Sequence, residues 1–322
     1  MAVALLLPAE ASYAGWLSDM FKGSSKQDKA KRAAAPKPVA TTKPKVTAKP
    51  ASARKPAVAA KPAAPAKPHT KLAALSPAGL PLAVLKPVAP RCEPQKLRIV
   101  VDVGHTALSE GAMSARNVSE FIFNKRLAER VAEKLKAEGF TQTKLLVTEG
   151  KARASLVRRV AAANATPADL FLSIHHDSVP NKFLENWEFE GKKSHFSDRF
   201  RGHSVFVSRS NPEFRTSLVF AELVAKEMKA EGLQYAEQYS QPIMGRYRHP
   251  LLNKETGVYS YDELIVLRKT KMPAVLLEAG SIINREEELK MDSDEHRNIV
   301  SSGVAAAVKE FCDPRWGILG PL

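Results

Sequence analysis

The chain beyond residue 96 alternates short apolar runs with stretches whose apolar residues recur at helical spacing. Three runs, at 97–103, 170–174 and 273–280, have the length and composition of strands that are covered on both faces. Residues 121–135 carry one apolar face and end at Gly139, which is typical of a helix that stops at a glycine. This alternation predicts an α/β fold, with a doubly wound, mostly parallel sheet flanked by helices.

Weaker patterns complete the alternation. We expect Asn117 or Ser119 to cap the first helix, and Ser155 to cap a second one that runs to Ala163. Further strands are predicted at 145–147 and 203–208, and further helices at 212–231 and 293–311. Residues 179–202 form a polar segment. The tyrosine-containing stretch 234–262 is interpreted as irregular surface structure, with a cleft wall or a lid as the alternatives.

Residues that bind metals or move protons stand at the ends of the three apolar runs. His105 follows the first run, His175 follows the second, and Glu278 lies near the end of the third. The carboxyl ends of strands border the crevice in open α/β sheets, and Glu120, in the first turn of the next helix, is expected at the same edge. Two imidazoles and a carboxylate with an open fourth position form the ligand set of hydrolytic zinc sites. Glu278 is then available as a general base and acid.

Each of these residues also has a simpler interpretation. Taken alone, His105 reads as an ordinary hydrogen-bonded histidine, and Glu120 as a carboxylate that stabilises a helix N-terminus. Glu278 alone could pair with Arg159 or another buried base. His175 and His176 are adjacent, so on a strand they face opposite sides and only one is expected to reach an ion. The convergence of four such residues on one sheet edge favours the metal site.

Charge and proline are concentrated in the amino-terminal part of the chain. Residues 1–96 hold 17 Lys and Arg against 4 Asp and Glu, a net of +13, together with 14 of the 22 prolines. The remaining residues hold 32 basic and 30 acidic side chains, a net of only +2, so the folded part is not expected to bind nucleic acid. We interpret residues 26–95 as a disordered Lys/Ala/Pro-rich linker. Attraction to an anionic envelope surface and a merely solvated tether both remain open for it.

The chain ends and the cysteines bear on the cellular compartment. Residues 1–25 are interpreted as a truncated secretory signal segment, with a merely apolar terminus as the alternative, and residues 314–322 as a C-terminal tail. No later stretch has the length of apolar sequence that a membrane span requires. Cys92 and Cys312 flank the predicted domain at 96–313. A disulfide between them and a pair of unlinked thiols are both left open.

The combined motifs resemble the zinc-dependent N-acetylmuramoyl-L-alanine amidases, which cut peptidoglycan between muramic acid and the stem peptide. The resemblance covers 97–311, essentially the whole predicted domain. It rests on these segments: Ile99-Val-Val-Asp-Val-Gly-His105, Gly111-Ala112 with Glu120, Leu156-Val-Arg-Arg159 with Ala163-Asn164, Ala168-Asp-Leu-Phe-Leu-Ser-Ile-His175, and Pro273-Ala-Val-Leu-Leu-Glu278-Ala-Gly with Asn284 and Glu287.

The resemblance implies roles for particular residues. His105, Glu120 and His175 would bind one zinc ion, and Glu278 would be the catalytic glutamate. The sequence departs from the family pattern at Gly104-His-Thr-Ala107 and His175-His-Asp-Ser178. His176 and Asp177 are therefore expected to contact substrate or to orient a ligand. Arg116 is expected to meet a stem-peptide carboxylate, with an ordinary surface arginine as the alternative.

The resulting hypothesis is zinc-dependent hydrolysis of the amide between N-acetylmuramic acid and L-alanine in peptidoglycan. Peptidoglycan is the expected partner, with an activator protein as a further one, and the expected location is the periplasm or cell envelope. Two alternatives remain at this stage: a non-catalytic wall-binding or regulatory protein, and a zinc peptidase that cuts another peptide bond of the wall.

Overall fold

Nine strands and six helices are defined in a computed structural model, which describes residues 92–313. The strands are β1 Ile99–Val103, β2 Thr143–Leu146, β3 Leu170–Asp177, β4 Glu185–Phe189, β5 Lys192–Phe196, β6 Ser204–Val207, β7 Leu251–Asn253, β8 Val258–Ser260 and β9 Ala274–Ser281. The α-helices are α1 Glu120–Ala137, α2 Ala152–Ala165, α3 Phe214–Ala230, α4 Ile265–Lys269, α5 Arg285–Met291 and α6 Asp294–Phe311.

Seven of these strands form one sheet in the order β2-β1-β3-β9-β6-β8-β7. The pairs β1–β2, β1–β3, β3–β9 and β6–β8 are parallel, whereas β6–β9 and β7–β8 are antiparallel. The prediction of a mostly parallel α/β sheet flanked by helices is confirmed. The chain passes from β1 to β2 on one side and then to β3 on the other, which creates a switch point at the carboxyl ends of β1 and β3.

The sheet has an apolar core on each face. Alternation along β1 places Val101 in one core and Val100 in the other, as the two-residue period of a strand requires. The first core is covered by α1, α3 and α6 through side chains such as Leu127, Phe220 and Val304. The second is covered by α2, α4 and the segment after α3. Because both faces are buried, the strands read as continuous apolar runs in the sequence.

One of the two predicted helix caps needs correction. Helix α2 begins at Ala152 with Lys151 as its N-cap residue, so the expected cap at Ser155 is wrong. The Ser155 hydroxyl instead donates to the Ala152 carbonyl within the first turn, across 2.7 Å. Ser119 is the N-cap residue of α1, as predicted, although its side chain makes no capping hydrogen bond. In the sequence, a serine that forms a hydrogen bond within the first turn of a helix cannot be distinguished from a serine that caps a helix starting just after it.

Two stretches contain more structure than expected. The polar segment 179–202 includes the antiparallel β4–β5 hairpin, which forms a sheet of its own. The interpretation of 234–262 as irregular surface structure is wrong, because it contains two 3₁₀ turns and strands β7 and β8. Tyr239 and Tyr259 from this stretch are almost fully buried in the second core. Burial of their rings on the sheet organises a segment that has no clear periodicity of its own.

Cys92 and Cys312 are joined in a disulfide, which resolves the alternative left open above. The bond links Cys92, seven residues before β1, to Cys312, the residue after α6, and spans 220 positions. The predictions for 1–25, for 314–322 and for nearly all of 26–95 lie outside the described residues. Within 92–313, none of the helices combines the length and the hydropathy that crossing a bilayer would take.

Candidate metal centre

The sharp turn after β1 places His105 against the end of β3. The Gly104 N–H donates to the Ile174 carbonyl across 3.0 Å, which continues the pairing of the two strands. A Cβ atom at Gly104 would lie only 2.4 Å from His175 Nε2, so a larger residue would displace that ring. His105 itself has a φ of 64°, a conformation that few residues other than glycine adopt. The backbone here is shaped to bring two imidazoles together.

Glu120 lies between the two imidazole rings. Its Oε2 atom is 3.0 Å from His105 Nε2, and its Oε1 atom is 3.0 Å from His175 Nδ1. All three side chains are buried, and one ligand atom from each fits within 4.8 Å of the others. Gly111 allows this approach, because a Cβ there would lie 2.4 Å from Glu120 Oε2. The structure thus brings together the three residues that the sequence proposed as ligands.

The electrostatics of this group favour a cation. Burial alone would raise the pKa of Glu120, but the His105 and His175 imidazoles outweigh it and hold the pKa well below the usual range. Burial lowers the pKa of His175 to about 4, although Glu120 opposes the shift. At neutral pH the carboxylate is therefore charged and the His175 ring is neutral, which is the protonation state that a metal ligand requires.

The geometry and the donor types fit zinc. Tetrahedral zinc with bonds of about 2.0–2.1 Å to nitrogen and oxygen has neighbouring ligand atoms roughly 3.3 Å apart. Each imidazole has a nitrogen 3.0 Å from a Glu120 oxygen, His105 Nε2 from Oε2 and His175 Nδ1 from Oε1, which is close to that value. The set leaves a fourth position for water or substrate, as catalytic zinc sites do. His105, Glu120 and His175 would hold the ion.

Glu278 lies beside this group. It pairs in register with His175 across β3 and β9, so both side chains are at the same edge of the sheet. Its side chain is buried, and Oε2 has no hydrogen-bond partner among residues 92–313. Burial, reinforced by the nearby Asp177 and Glu120 carboxyls, raises the pKa of Glu278 well above its ordinary value. A carboxylate with a raised pKa accepts a proton more readily than an ordinary glutamate does, as a general base must.

Arg159 does not pair with Glu278, so that alternative is wrong. Its Nε atom lies 3.0 Å from Asp102 Oδ1 in a fully buried ion pair. Its Nη2 atom donates to the His105 carbonyl across 2.7 Å. Asp102 also accepts a hydrogen bond from the Ser173 hydroxyl across 2.6 Å, which ties β1 to β3. The guanidinium therefore braces the turn that carries His105.

Asn124 holds the other side of Glu120, and sequence reasoning missed it. Its Nδ2 atom donates to Glu120 Oε1 across 3.1 Å and to the Gly104 carbonyl across 3.2 Å. His176 Nδ1 lies 2.8 Å from Asn124 Oδ1. Asn124 is four residues after Glu120 on α1, so helical spacing was the available signal. His176 therefore lies outside the three-residue group and contacts it through Asn124.

Asp177 and Arg116 are both engaged within the protein. Asp177 accepts hydrogen bonds from the Tyr239 hydroxyl and from the Ser178 N–H, and burial raises its pKa to about 8 despite these bonds. Arg116 pairs with the buried Glu288 at 2.5 Å, and its guanidinium lies over the Trp187 ring. Glu288 and Trp187 therefore engage the Arg116 guanidinium.

Comparison with known proteins identifies the family of this chain. The family model for N-acetylmuramoyl-L-alanine amidase, Amidase_3, matches residues 99–310. A cell wall amidase described as uncharacterised, from Bacillus anthracis, is 26% identical over 66% of this chain, which spans about a third (35%) of that relative. The N-acetylmuramoyl-L-alanine amidase AmiA of Escherichia coli is 24% identical over 66% of this chain and 75% of its own length.

Solved structures show the same fold. An N-acetylmuramyl-L-alanine amidase from Mycobacterium smegmatis superposes with a TM-score of 0.51 at 18% identity, over 69% of this chain and 99% of its own. An N-acetylmuramoyl-L-alanine amidase from Clostridium difficile gives 0.50 at 20%, over 70% and 100%. Since the family match extends over most of the chain and includes every residue of the candidate site, this protein belongs to the N-acetylmuramoyl-L-alanine amidase family.

Proposed function

We propose that the protein is a zinc-dependent amidase that hydrolyses the bond between N-acetylmuramic acid and L-alanine in peptidoglycan. The observation that carries the proposal is the buried group of His105, Glu120 and His175, with Glu278 in register beside it. The family match supports the amidase reaction. The donor set supports zinc.

The residues divide the chemistry between them. His105, Glu120 and His175 would hold a zinc ion, which would supply a Lewis acid to activate water and polarise the amide carbonyl. Glu278 Oε2 accepts a proton from the attacking water, because burial beside two other carboxyls makes protonation favourable. The same oxygen then returns the proton to the departing alanine nitrogen. Arg159 and Asn124 keep His105 and Glu120 in place through the hydrogen bonds described above.

The proposal also extends to the surroundings of the enzyme. A cell-wall substrate places its action outside the cytoplasm, in the periplasm or envelope, and a disulfide between Cys92 and Cys312 is consistent with an oxidising compartment. Contact between the basic linker and an anionic envelope surface, and control by an activator protein, remain predictions. That nucleic acid is not a partner stays a prediction, which rests on the near-neutral charge of the residues beyond 96.

Digestion of purified peptidoglycan tests the function. We expect zinc-loaded protein to release stem peptides whose free amino terminus is alanine, and we expect a chelator to stop the release. Amino-group labelling followed by mass spectrometry identifies the new termini. A zinc peptidase would expose other amino termini, and a wall-binding protein would sediment with the polymer without releasing peptide. Either result would overturn the assignment.

A further inference from the structure

A cleft lies next to the candidate metal centre. It has a volume of about 1140 Å³ and runs between residues 107–114 and the β4–β5 hairpin. Gly111 and Ala112 line it, and the same two residues touch Glu120, since the Ala112 N–H donates to Glu120 Oε2 across 3.1 Å. Ser178, directly after Asp177, also lines it. We name this space the hairpin cleft.

The hairpin wall of the cleft is held firmly in position. Trp187 Nε1 and Ser194 Oγ both donate to the Ala115 carbonyl, each across 2.8 Å. On the other side, the Arg285 guanidinium lies 3.7 Å from the centre of the Phe196 ring and also pairs with Asp198. These contacts fix the hairpin relative to both the 107–117 loop and α5. A wall that is preset in this way can select ligands without first having to fold around them.

The lining of the hairpin cleft has the chemistry of a peptide site. Asn186 and His195 form an exposed cross-strand pair on the hairpin and both line the cleft. Asn117 lines it too, and its Nδ2 donor has no hydrogen-bond partner within the described residues. Side-chain amides and imidazoles can donate to and accept from peptide groups. Leu108 and Met113 add apolar surface, because they are 71% and 47% exposed.

Two further features favour peptide over glycan. Sugar rings pack their apolar faces on aromatic side chains, and none of the described lining residues is Phe, Tyr or Trp. The aromatic side chains of the hairpin face Arg116 and Arg285 instead. Lys151 is the one lysine or arginine in the lining, and its ammonium suits a carboxylate of a stem peptide.

We propose that the hairpin cleft binds the stem peptide beyond its first alanine, and that Asn186 and His195 determine specificity by contacting the peptide backbone. Lys151 contacts a carboxylate of the same peptide from the opposite side of the cleft. The inference rests on the proposed amidase function, because it places the scissile amide at the candidate metal centre and the rest of the peptide in the cleft.

The test compares two substrates and two double variants. The substrates are a muramoyl tripeptide and muramoyl-L-alanine, which lacks the rest of the peptide. The test variant is Asn186→Ala with His195→Ala. The control is Glu188→Ala with Lys193→Ala, the neighbouring cross-strand pair, which is exposed but does not line the cleft. We expect the test variant to lose about tenfold in kcat/KM on the tripeptide and less than about twofold on muramoyl-L-alanine. The control should match the wild type on both.

Equal losses on the two substrates, or no loss on the tripeptide, would overturn the inference. A binding measurement separates it from the proposed function. Zinc-loaded Glu278→Gln protein is titrated with the muramoyl tripeptide by calorimetry, with and without the Asn186 and His195 replacements. Weaker binding with the Asn186 and His195 replacements than without them supports the cleft assignment, whether or not the wild type hydrolyses either substrate. If the wild type hydrolyses neither substrate, the amidase proposal is wrong but the cleft assignment still stands. Unchanged binding would count against the cleft.

Discussion

Arg159 Nη2 donates a hydrogen bond to the backbone carbonyl of His105 across 2.7 Å, so a buried guanidinium braces the turn that carries a proposed metal ligand. The brace is anchored by Asp102, whose Oδ1 atom lies 3.0 Å from Arg159 Nε. Residues with positive φ are costly unless the surroundings hold them, and His105 has a φ of 64°. The ion pair therefore connects fold stability with metal binding.

Replacing Arg159 should lower both the stability of the fold and the affinity for zinc. Arg159→Met leaves Asp102 buried without its partner, which we expect to lower the free energy of unfolding by about 3–5 kcal/mol. The double variant Asp102→Leu with Arg159→Met should regain much of this stability while zinc affinity stays low, since no donor reaches the His105 carbonyl. Urea unfolding and chelator competition measure the two effects. Wild-type zinc affinity in the double variant would contradict the bracing role.

Asn124 should act on the metal through Glu120. Asn124→Ala removes the donor to Glu120 Oε1 and leaves His176 Nδ1 without its partner. Partners that orient metal ligands typically contribute about 10–100-fold in metal affinity, so we expect the zinc Kd to rise by that factor. Asn298→Ala is the matched control, because Asn298 is an exposed helical asparagine that accepts from Arg130 Nε. Equal zinc affinity in the two variants would show that Asn124 has no such role.

Replacements of Glu278 and of His175 should cause different defects. Glu278→Gln removes the proton acceptor but none of the proposed ligands, so turnover should fall about 100-fold or more while zinc stays bound. His175→Ala should lose the metal together with activity. Metal analysis after gel filtration, combined with the peptidoglycan digest, separates the two outcomes. A Glu278→Gln protein with full turnover would remove that residue from the mechanism.

The disulfide should stabilise the domain strongly. It closes a loop of 220 positions, and the loop-entropy relation gives about 5 kcal/mol for a loop of that size. Replacing both Cys92 and Cys312 by serine should therefore lower the free energy of unfolding by up to that amount, measured by urea denaturation of the metal-free protein. Reduction of the wild type should reproduce the loss. An unchanged urea midpoint in both experiments would mean that the disulfide does not reduce the conformational entropy of the denatured chain.

Acid should destabilise the fold through His249. Burial among Phe206, Tyr239 and Tyr261 lowers its pKa to about 4, whereas an unfolded histidine titrates near 6.5. Between these values the unfolded state binds the extra proton, so stability is full above pH 6.5 and falls as the pH drops toward 4. The loss from this residue is on the order of 3 kcal/mol.

The measurement compares the pH dependence of unfolding in wild type and in His249→Gln. Urea denaturation of both proteins at pH 7 and pH 4.5, with a chelator present, gives the two slopes. We expect the variant to show a shallower decline over this range, since glutamine does not titrate. Parallel curves would mean that His249 has a similar pKa in the folded and unfolded states.

Much of the fold could be predicted from the sequence. The strands that end near His105, His175 and Glu278 are fully buried, and burial on both faces produces the unbroken apolar runs that mark them. The edges of the fold were harder to predict. The strands of the β4–β5 hairpin contain only three apolar residues, Trp187, Phe189 and Phe196, too few to mark two strands in the sequence. Their rings pack on arginines instead of in an apolar core.

The candidate site, too, could be predicted from the sequence only in part. Residue types at the carboxyl ends of parallel strands were enough to predict that His105, Glu120, His175 and Glu278 converge, because one sheet edge collects them. Only the tertiary structure decided that Arg159 donates to the His105 carbonyl, that Asn124 hydrogen-bonds to both Glu120 and His176, and that Cys92 and Cys312 form a disulfide. Strand and helix patterns are local and visible in the sequence. Hydrogen-bond partners 50 or more positions apart depend on how whole elements pack, and no local pattern encodes that choice.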